Sequence, residues 1–210
     1  MWAHPDAVRG RHVLEVREGG RPAQPSFAAA ANAPHSARCH HTQIGAGTGL
    51  AGLAAARAGA ASVTLTDRAD ATVLGNLAAA VRLNGCGDSV RVQALPWGDV
   101  EAAAAVAPAP GVVLGADCFY HVSDFDHVLA TVTVLLRQAA AAAEPTGNPP
   151  VFLTCYQERS SRRTIQHLLD FWGLRAEAVA WQPTGGGLSA DLSDAVLDSL
   201  HLLCIQLATT

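Results

Sequence analysis

The residues whose types and spacing could do chemistry begin with a glycine loop and an acidic residue downstream of it. Gly45, Gly47 and Gly49 stand in IGAGTGL (44–50), directly ahead of the helix-forming run AGLAAARAGA. Glycines let backbone approach a ligand closely, and a helix starting near Gly49 offers unpaired N–H groups to it. The pattern is GxGxG: Leu50 occupies the place of the third glycine of GxGxxG. An Ala- and Gly-rich chain makes such strings by chance, so the loop alone says little. Asp67 adds weight, because it ends the strand-like run SVTLT 18 residues after Gly49. A carboxylate there can accept both ribose hydroxyls of a nucleoside. Alternatively, Asp67 is a solvated turn or helix-cap residue. Asp117 follows the apolar run GVVLGA and so lies at the carboxyl edge of a buried strand, where open α/β sheets bind ligands. Its alternative is to cap the next turn.

Strands and helices must alternate to bring these residues to one edge. Short β-branched runs at 12–16 (HVLEV), 62–66, 90–95, 111–116, 151–155 and 200–207 read as strands. Helix-length segments lie between most of them, at 49–59, 69–84, 124–143 and 161–172. The clearest is 124–137, with Phe125, Val128, Leu129, Val132, Leu135 and Leu136 on one face and Ser123 with Asp126 as an N-terminal capping pair. Near-continuous apolar strands alternating with helices predict a parallel sheet covered on both faces. The last strand follows a polar, Gly-rich stretch and is expected to run antiparallel at an edge. Residues 145–150 are a surface loop. Residues 17–43 fit no period, although α/β folds allow only a few residues between a strand and its glycine turn.

Composition narrows the functions. The chain has 210 residues, enough for one domain with a substantial core, and is 50% hydrophobic and 15% charged. All 14 basic residues are Arg, yet the net charge is −4, which argues against a non-specific nucleic-acid binder. Five scattered cysteines (Cys39, Cys86, Cys118, Cys155, Cys204) form no CxxC pair and read as reduced thiols of an intracellular protein. Apolar runs are too short to span a membrane. Cys39, His40 and His41 hint at a metal, but no second ligand cluster stands at zinc spacing, so no metal is expected. No Ser/His/Asp arrangement, Walker A loop or HExxH is present.

Joining HVLE (12–15) to IGAGTGL gives VLEIGAGTGL, which resembles motif I of the class I S-adenosylmethionine-dependent methyltransferases. TLTD (64–67), LNG (83–85), LPWGD (95–99), VVLGADCFY (112–120), SDFDHVLATVTVLL (123–136), TCYQERSS and IQHLLDFWGL (154–174) continue the likeness in order. Together they resemble the lysine methyltransferase-like enzymes of methyltransferase family 16, and within it a branch associated with histone arginine methylation in nucleus and cytoplasm. The resemblance implies a Rossmann-like, doubly wound, mostly parallel seven-stranded sheet with an antiparallel C-terminal strand. It implies S-adenosyl-L-methionine as cofactor, with Gly45, Ala46 and Gly47 at its methionine end, Asp67 at its ribose, and Glu15 and Gly49 also beside it. Trp97 and Ala116 match further cofactor-contacting positions. Asp117 and Tyr120 match the family's DxxY motif facing the substrate opening, and Tyr156, Gln157 and Glu158 follow the fifth strand on the same edge.

By that resemblance Asp117, Tyr120 and Glu158 are the catalytic candidates, with Tyr156 as an orienting partner. The implied function is protein N-methylation, toward arginine of a histone or another nuclear protein. The implied partners are a protein substrate and chaperone-type proteins, without direct nucleic-acid or membrane contact. A lysine acceptor, a catalytically dead scaffold of the same fold and an NAD-dependent reductase are the alternatives. The last lacks the third loop glycine and, with no Lys in the chain, any Tyr-x-x-x-Lys pair.

Two departures qualify the resemblance. Only eleven residues precede HVLE, so part of the family's N-terminal cover is expected to be missing. More seriously, residues 16–43 separate Glu15 from the glycine loop, which makes 1–210 a single domain interrupted at 16–43. Val16-Arg17 can be encoded as GTG-AGG and Gln43 as CAG, the forms of splice donor and acceptor sites, so a retained intron is one origin. With the segment present, His41–Ile44 can lead into the glycine turn, at the cost of a long closed loop of a few kcal/mol. The sequence then predicts weak or absent activity for this chain and normal cofactor binding once 16–43 is deleted.

Overall fold

The computed structural model describes residues 39–143, 147–157, 165–180 and 199–208. Its strands are β1 (His40–Ile44), β2 (Ser62–Asp67), β3 (Val90–Ala94), β4 (Val112–Ala116), β5 (Val151–Gln157), β6 (Leu174–Val179) and β7 (Leu200–Leu207). The helices are α1 (Leu50–Arg57), α2 (Ala71–Leu83), α3 (Val100–Ala104), α4 (Phe125–Ala142) and α5 (Gln166–Trp172). They form a seven-stranded sheet in the order β3-β2-β1-β4-β5-β7-β6, parallel except for β7, which runs antiparallel to β5 and β6. The doubly wound, mostly parallel sheet is as expected.

The direction of winding across the sheet reverses between the parallel strands β1 and β4. From β1 the chain winds outward to β3, then crosses back to β4 on the other side of β1. At such a switch point the carboxyl ends of the neighbouring strands open a crevice. Ile44, Asp67 and Ala116 all lie at that edge.

Two apolar layers cover the sheet. Side chains alternate sides along a strand, and Val113 and Leu114 of β4 accordingly join different clusters. Leu114 shares one layer with Val63 and Leu65 of β2, Leu53 of α1 and Leu77 of α2, whereas Val113 shares the other with Phe152, α4 and Leu169 of α5. The apolar face expected on α4 is buried in full, from Phe125 to Leu136. Gly52 lets α1 lie close on the sheet: a Cβ there would collide with Leu65 and stand 3.0 Å from Val63 and Gln43.

The structure corrects the expected elements in several places. The central slot beside β2 and β4 is filled by His40–Ile44, so the segment read as irregular ends in a strand; residues 12–16, expected there, lie outside the described residues. Its polar sequence HHTQI conceals it, yet His41, Thr42 and Gln43 are buried between two strands. Strand β6 and the short α3 were not expected from the sequence. LRAEAV carries helix-forming residues, and pairing with β7 overrides that preference. The last strand is antiparallel but interior, because β6 takes the edge. Ser123 bonds Asp124 (3.1 Å), so it does not cap α4, whose N-cap Asp124 makes no side-chain cap bond. Asp70 and Asp99 instead cap α2 and α3. No helix among the described residues is long and apolar enough to cross a membrane.

Candidate active site

The glycine loop is held open by backbone geometry that only glycine adopts easily. Gly45, Gly47 and Gly49 have φ of 55°, 55° and 79°. The Ala46 N–H donates to the Thr66 carbonyl (2.8 Å) and the Gly49 N–H to the Ala46 carbonyl (2.7 Å), which fixes the turn. Gly47 and Thr48 are exposed, and nothing lies within 4 Å of where a Cβ on Gly47 would stand. The loop therefore offers an unobstructed outer face.

Asp67 closes one side of it. Its Oδ2 accepts the Gly47 N–H (2.8 Å) and its Oδ1 the Arg68 N–H (2.8 Å). A carboxylate has about four acceptor positions, so two remain for hydroxyl donors of a ligand.

Trp97 closes the other side. A Cβ on Gly45 would stand 2.5 Å from Trp97 Cζ2, so the indole edge lies directly against the loop backbone. The same ring meets Tyr120 edge-on, with centroids 6.2 Å apart, and Tyr120 in turn contacts His121 at 4.6 Å. Gly45, Trp97 and Tyr120, from three separate segments, thus meet at the crevice. Tyr120 is 39% exposed.

Asp117 follows β4 in a conformation rare for a side-chain-bearing residue. Its φ is 54°, the one positive value among described non-glycine residues, and its N–H donates to the Cys155 carbonyl (3.3 Å) at the β4–β5 junction. Asp tolerates this region better than most residues, but backbone strain of this kind still costs about 1–3 kcal/mol and marks functional sites. Asp117 and Ala116 are both exposed.

The neighbouring thiols are not nucleophiles. Burial, reinforced by Asp117 and Asp67, pushes the Cys118 thiol up to about 12, and burial with Asp117 also raises Cys155. Both stay protonated at neutral pH, and the thiolate is the reactive form. All five cysteines are free; Cys86 and Cys118 are buried and the other three partly so. Among the described residues no group of three or more His, Cys, Asp or Glu is placed to hold a metal.

At the end of β5, Tyr156 packs edge-on to Phe119 (6.1 Å) and stacks with His201 (6.5 Å), and Gln157 is the strand's last residue. Glu15 and Glu158 lie outside the described residues. Sequence reasoning missed Gln43. It stands two residues before Gly45, the place expected for Glu15, is buried, and its Oε1 accepts the Gly52 N–H (2.7 Å). Its Nε2 reaches the Ala46 carbonyl (3.5 Å) and its own carbonyl accepts the Thr66 hydroxyl (2.8 Å). The signal was present in the spacing: Gln-Ile-Gly repeats the Glu-Ile-Gly of the joined motif.

An unobstructed glycine loop, a carboxylate with spare acceptor positions and an indole edge fit a nucleoside carrying a charged amino-acid tail. The comparisons agree. A protein-family model described as lysine methyltransferase matches residues 24–167. The histone-arginine methyltransferase METTL23 of Xenopus laevis is 33% identical over 138 residues, covering 65% of this chain and 55% of that protein. The protein of the same name from Homo sapiens is 27% identical over 161 residues, covering 76% of this chain and 78% of its own length. The chain thus spans little more than half of the frog relative. A precorrin-6y C5,15-methyltransferase from Geobacter metallireducens shares the fold, with a TM-score of 0.55 at 11% identity over 84% of this chain and 83% of its own. The chain belongs to the lysine methyltransferase family (methyltransferase family 16), and its cofactor is S-adenosyl-L-methionine.

Proposed function

We propose that this methyltransferase is a protein-arginine N-methyltransferase acting on a histone or another nuclear protein, in nucleus and cytoplasm. The observation that carries this reading is the exposed carboxylate of Asp117, held at φ 54° beside the strand tips, with the Trp97–Tyr120 aromatic pair at the same crevice. An anionic group and aromatic faces suit a cationic, planar acceptor. The relatives' names point to the same acceptor.

Gly45, Ala46 and Gly47 would line the methionine end of the cofactor with Gly49 beside them, Asp67 would take the ribose hydroxyls, and Trp97 and Ala116 would flank it. Bound S-adenosylmethionine supplies an electrophilic methyl group on a sulfonium. Transfer is an in-line displacement, so the protein needs no nucleophile of its own; it aligns the acceptor nitrogen and excludes water. Alignment of that kind is worth about 7–11 kcal/mol in the best cases. A guanidinium is protonated below a pH of about 12, so its nitrogen must shed a proton as the new C–N bond forms. Asp117 and Glu158 hold the guanidinium through its N–H groups and receive that proton, while Tyr120 and Tyr156 orient the group.

Labelled methyl transfer to core histones, followed by hydrolysis and amino-acid analysis, tests the reading. Label in methylarginine supports it. Label in methyl-lysine alone replaces arginine by lysine as acceptor, and no transfer despite cofactor binding leaves a scaffold of the same fold.

A further inference from the structure

Trp97 does not hold its place against the glycine loop by itself. It sits in the turn 95–98 between β3 and α3, tied to β2 by the Leu95 N–H on the Asp67 carbonyl (2.8 Å). The next residue, Gly98, has φ +85°, and a Cβ there would stand 2.7 Å from the ring of His127 on α4. Gly98 also donates its N–H to Thr131 Oγ1 (2.8 Å), and that hydroxyl donates to the His127 carbonyl (2.9 Å). Thr131 is fully buried in the middle of α4. Its hydroxyl has one acceptor in its own helix and one donor in the turn, so it ties the turn to α4 directly. The indole so held touches Gly45 on the cofactor side and Tyr120 on the acceptor side.

We infer that Thr131 is a positioning residue of the cofactor site, acting through Gly98 to seat the Trp97 indole between the glycine loop and Tyr120. The inference rests on Trp97 flanking the cofactor. Replacing the hydroxyl by a methyl group of equal size strands the Gly98 N–H and frees the turn, while leaving the packing of α4 intact.

The test is S-adenosylhomocysteine binding by calorimetry, which does not depend on the acceptor. Thr131→Val should weaken binding about tenfold, the scale of one lost, partly buried hydrogen bond with a stranded donor. Thr131→Ser, which keeps the hydroxyl, should stay within about twofold of the parent. In a Trp97→Ala background Thr131→Val should add no further loss, because its effect passes through that ring. Gly98→Ala, which drives the turn off His127, should reproduce the loss and serves if Thr131→Val does not fold. Unchanged binding in Thr131→Val, or an equal and additive loss on top of Trp97→Ala, overturns the inference. Unchanged binding in Trp97→Ala alone overturns the cofactor role of Trp97 as well.

Discussion

The Gly47 N–H donates to Oδ2 of Asp67 across 2.8 Å, so the tip of β2 holds the glycine loop. One carboxylate shapes the loop and, in the proposed site, would offer its remaining acceptor positions to a ribose. Asp67→Ala should therefore lose both contributions. We expect S-adenosylhomocysteine affinity to fall by at least about tenfold, with each charge-assisted bond worth about 1.5–3 kcal/mol. Calorimetry on the parent and the variant checks it.

Gly45 has no room for a side chain. Gly45→Ala puts a Cβ 2.5 Å from Trp97 Cζ2 on a residue with φ 55°. The variant should unfold more easily by about 1–3 kcal/mol and bind cofactor poorly. Gly47 shares the backbone angle but faces open space, so Gly47→Ala should cost less in denaturant unfolding.

Burial lowers His41 from 6.5 to about 4, with His40 adding a smaller push in the same direction. Its Nδ1 lies 3.2 Å from the Cys39 carbonyl, and its buried Nε2 has no hydrogen-bond partner among the described residues. The unfolded chain takes up a proton near pH 6.5, whereas the folded one resists until about pH 4. Stability from this residue is therefore full above pH 6.5 and falls as the pH drops toward 4, by about 3 kcal/mol in all. His41→Val should flatten that part of the stability profile in urea titrations at stepped pH.

Much of the fold was legible because it rests on periodicity. Strands β2 to β5 and β7 are apolar and β-branched, and α4 shows its buried face plainly. β1 was not legible because its fitness is tertiary: HHTQI works as a central strand with the Thr66 hydroxyl and the Gly52 N–H there to donate to Gln43. Of the site, the loop, Asp67 and Asp117 could be read from type and spacing. The meeting of Trp97 with Gly45, and its support by Thr131, joins residues far apart in sequence.

Residues 16–43 bear on this directly. Weak activity was expected on the ground that Glu15 is lost from beside the loop, but Gln43 stands there and closes it. Deleting 16–43 would bring Val13, Leu14 and Glu15 into register with His41, Thr42 and Gln43. We expect both chains to bind S-adenosylhomocysteine, and the shorter one to lose the stability decline between pH 6.5 and 4. A full-length chain that fails to bind while the shorter one succeeds would restore the earlier contrast.

The most direct test of the account separates Asp117 from the cofactor. Asp117→Asn keeps the shape and the left-handed backbone but removes the charge proposed to receive the acceptor's proton. Measured together, S-adenosylhomocysteine affinity should stay within about twofold of the parent while methyl transfer to histone arginine falls by at least about a hundredfold, the lower end for loss of a proton acceptor. Transfer at the parental rate, or cofactor binding lost in step with it, would contradict the role given to this carboxylate.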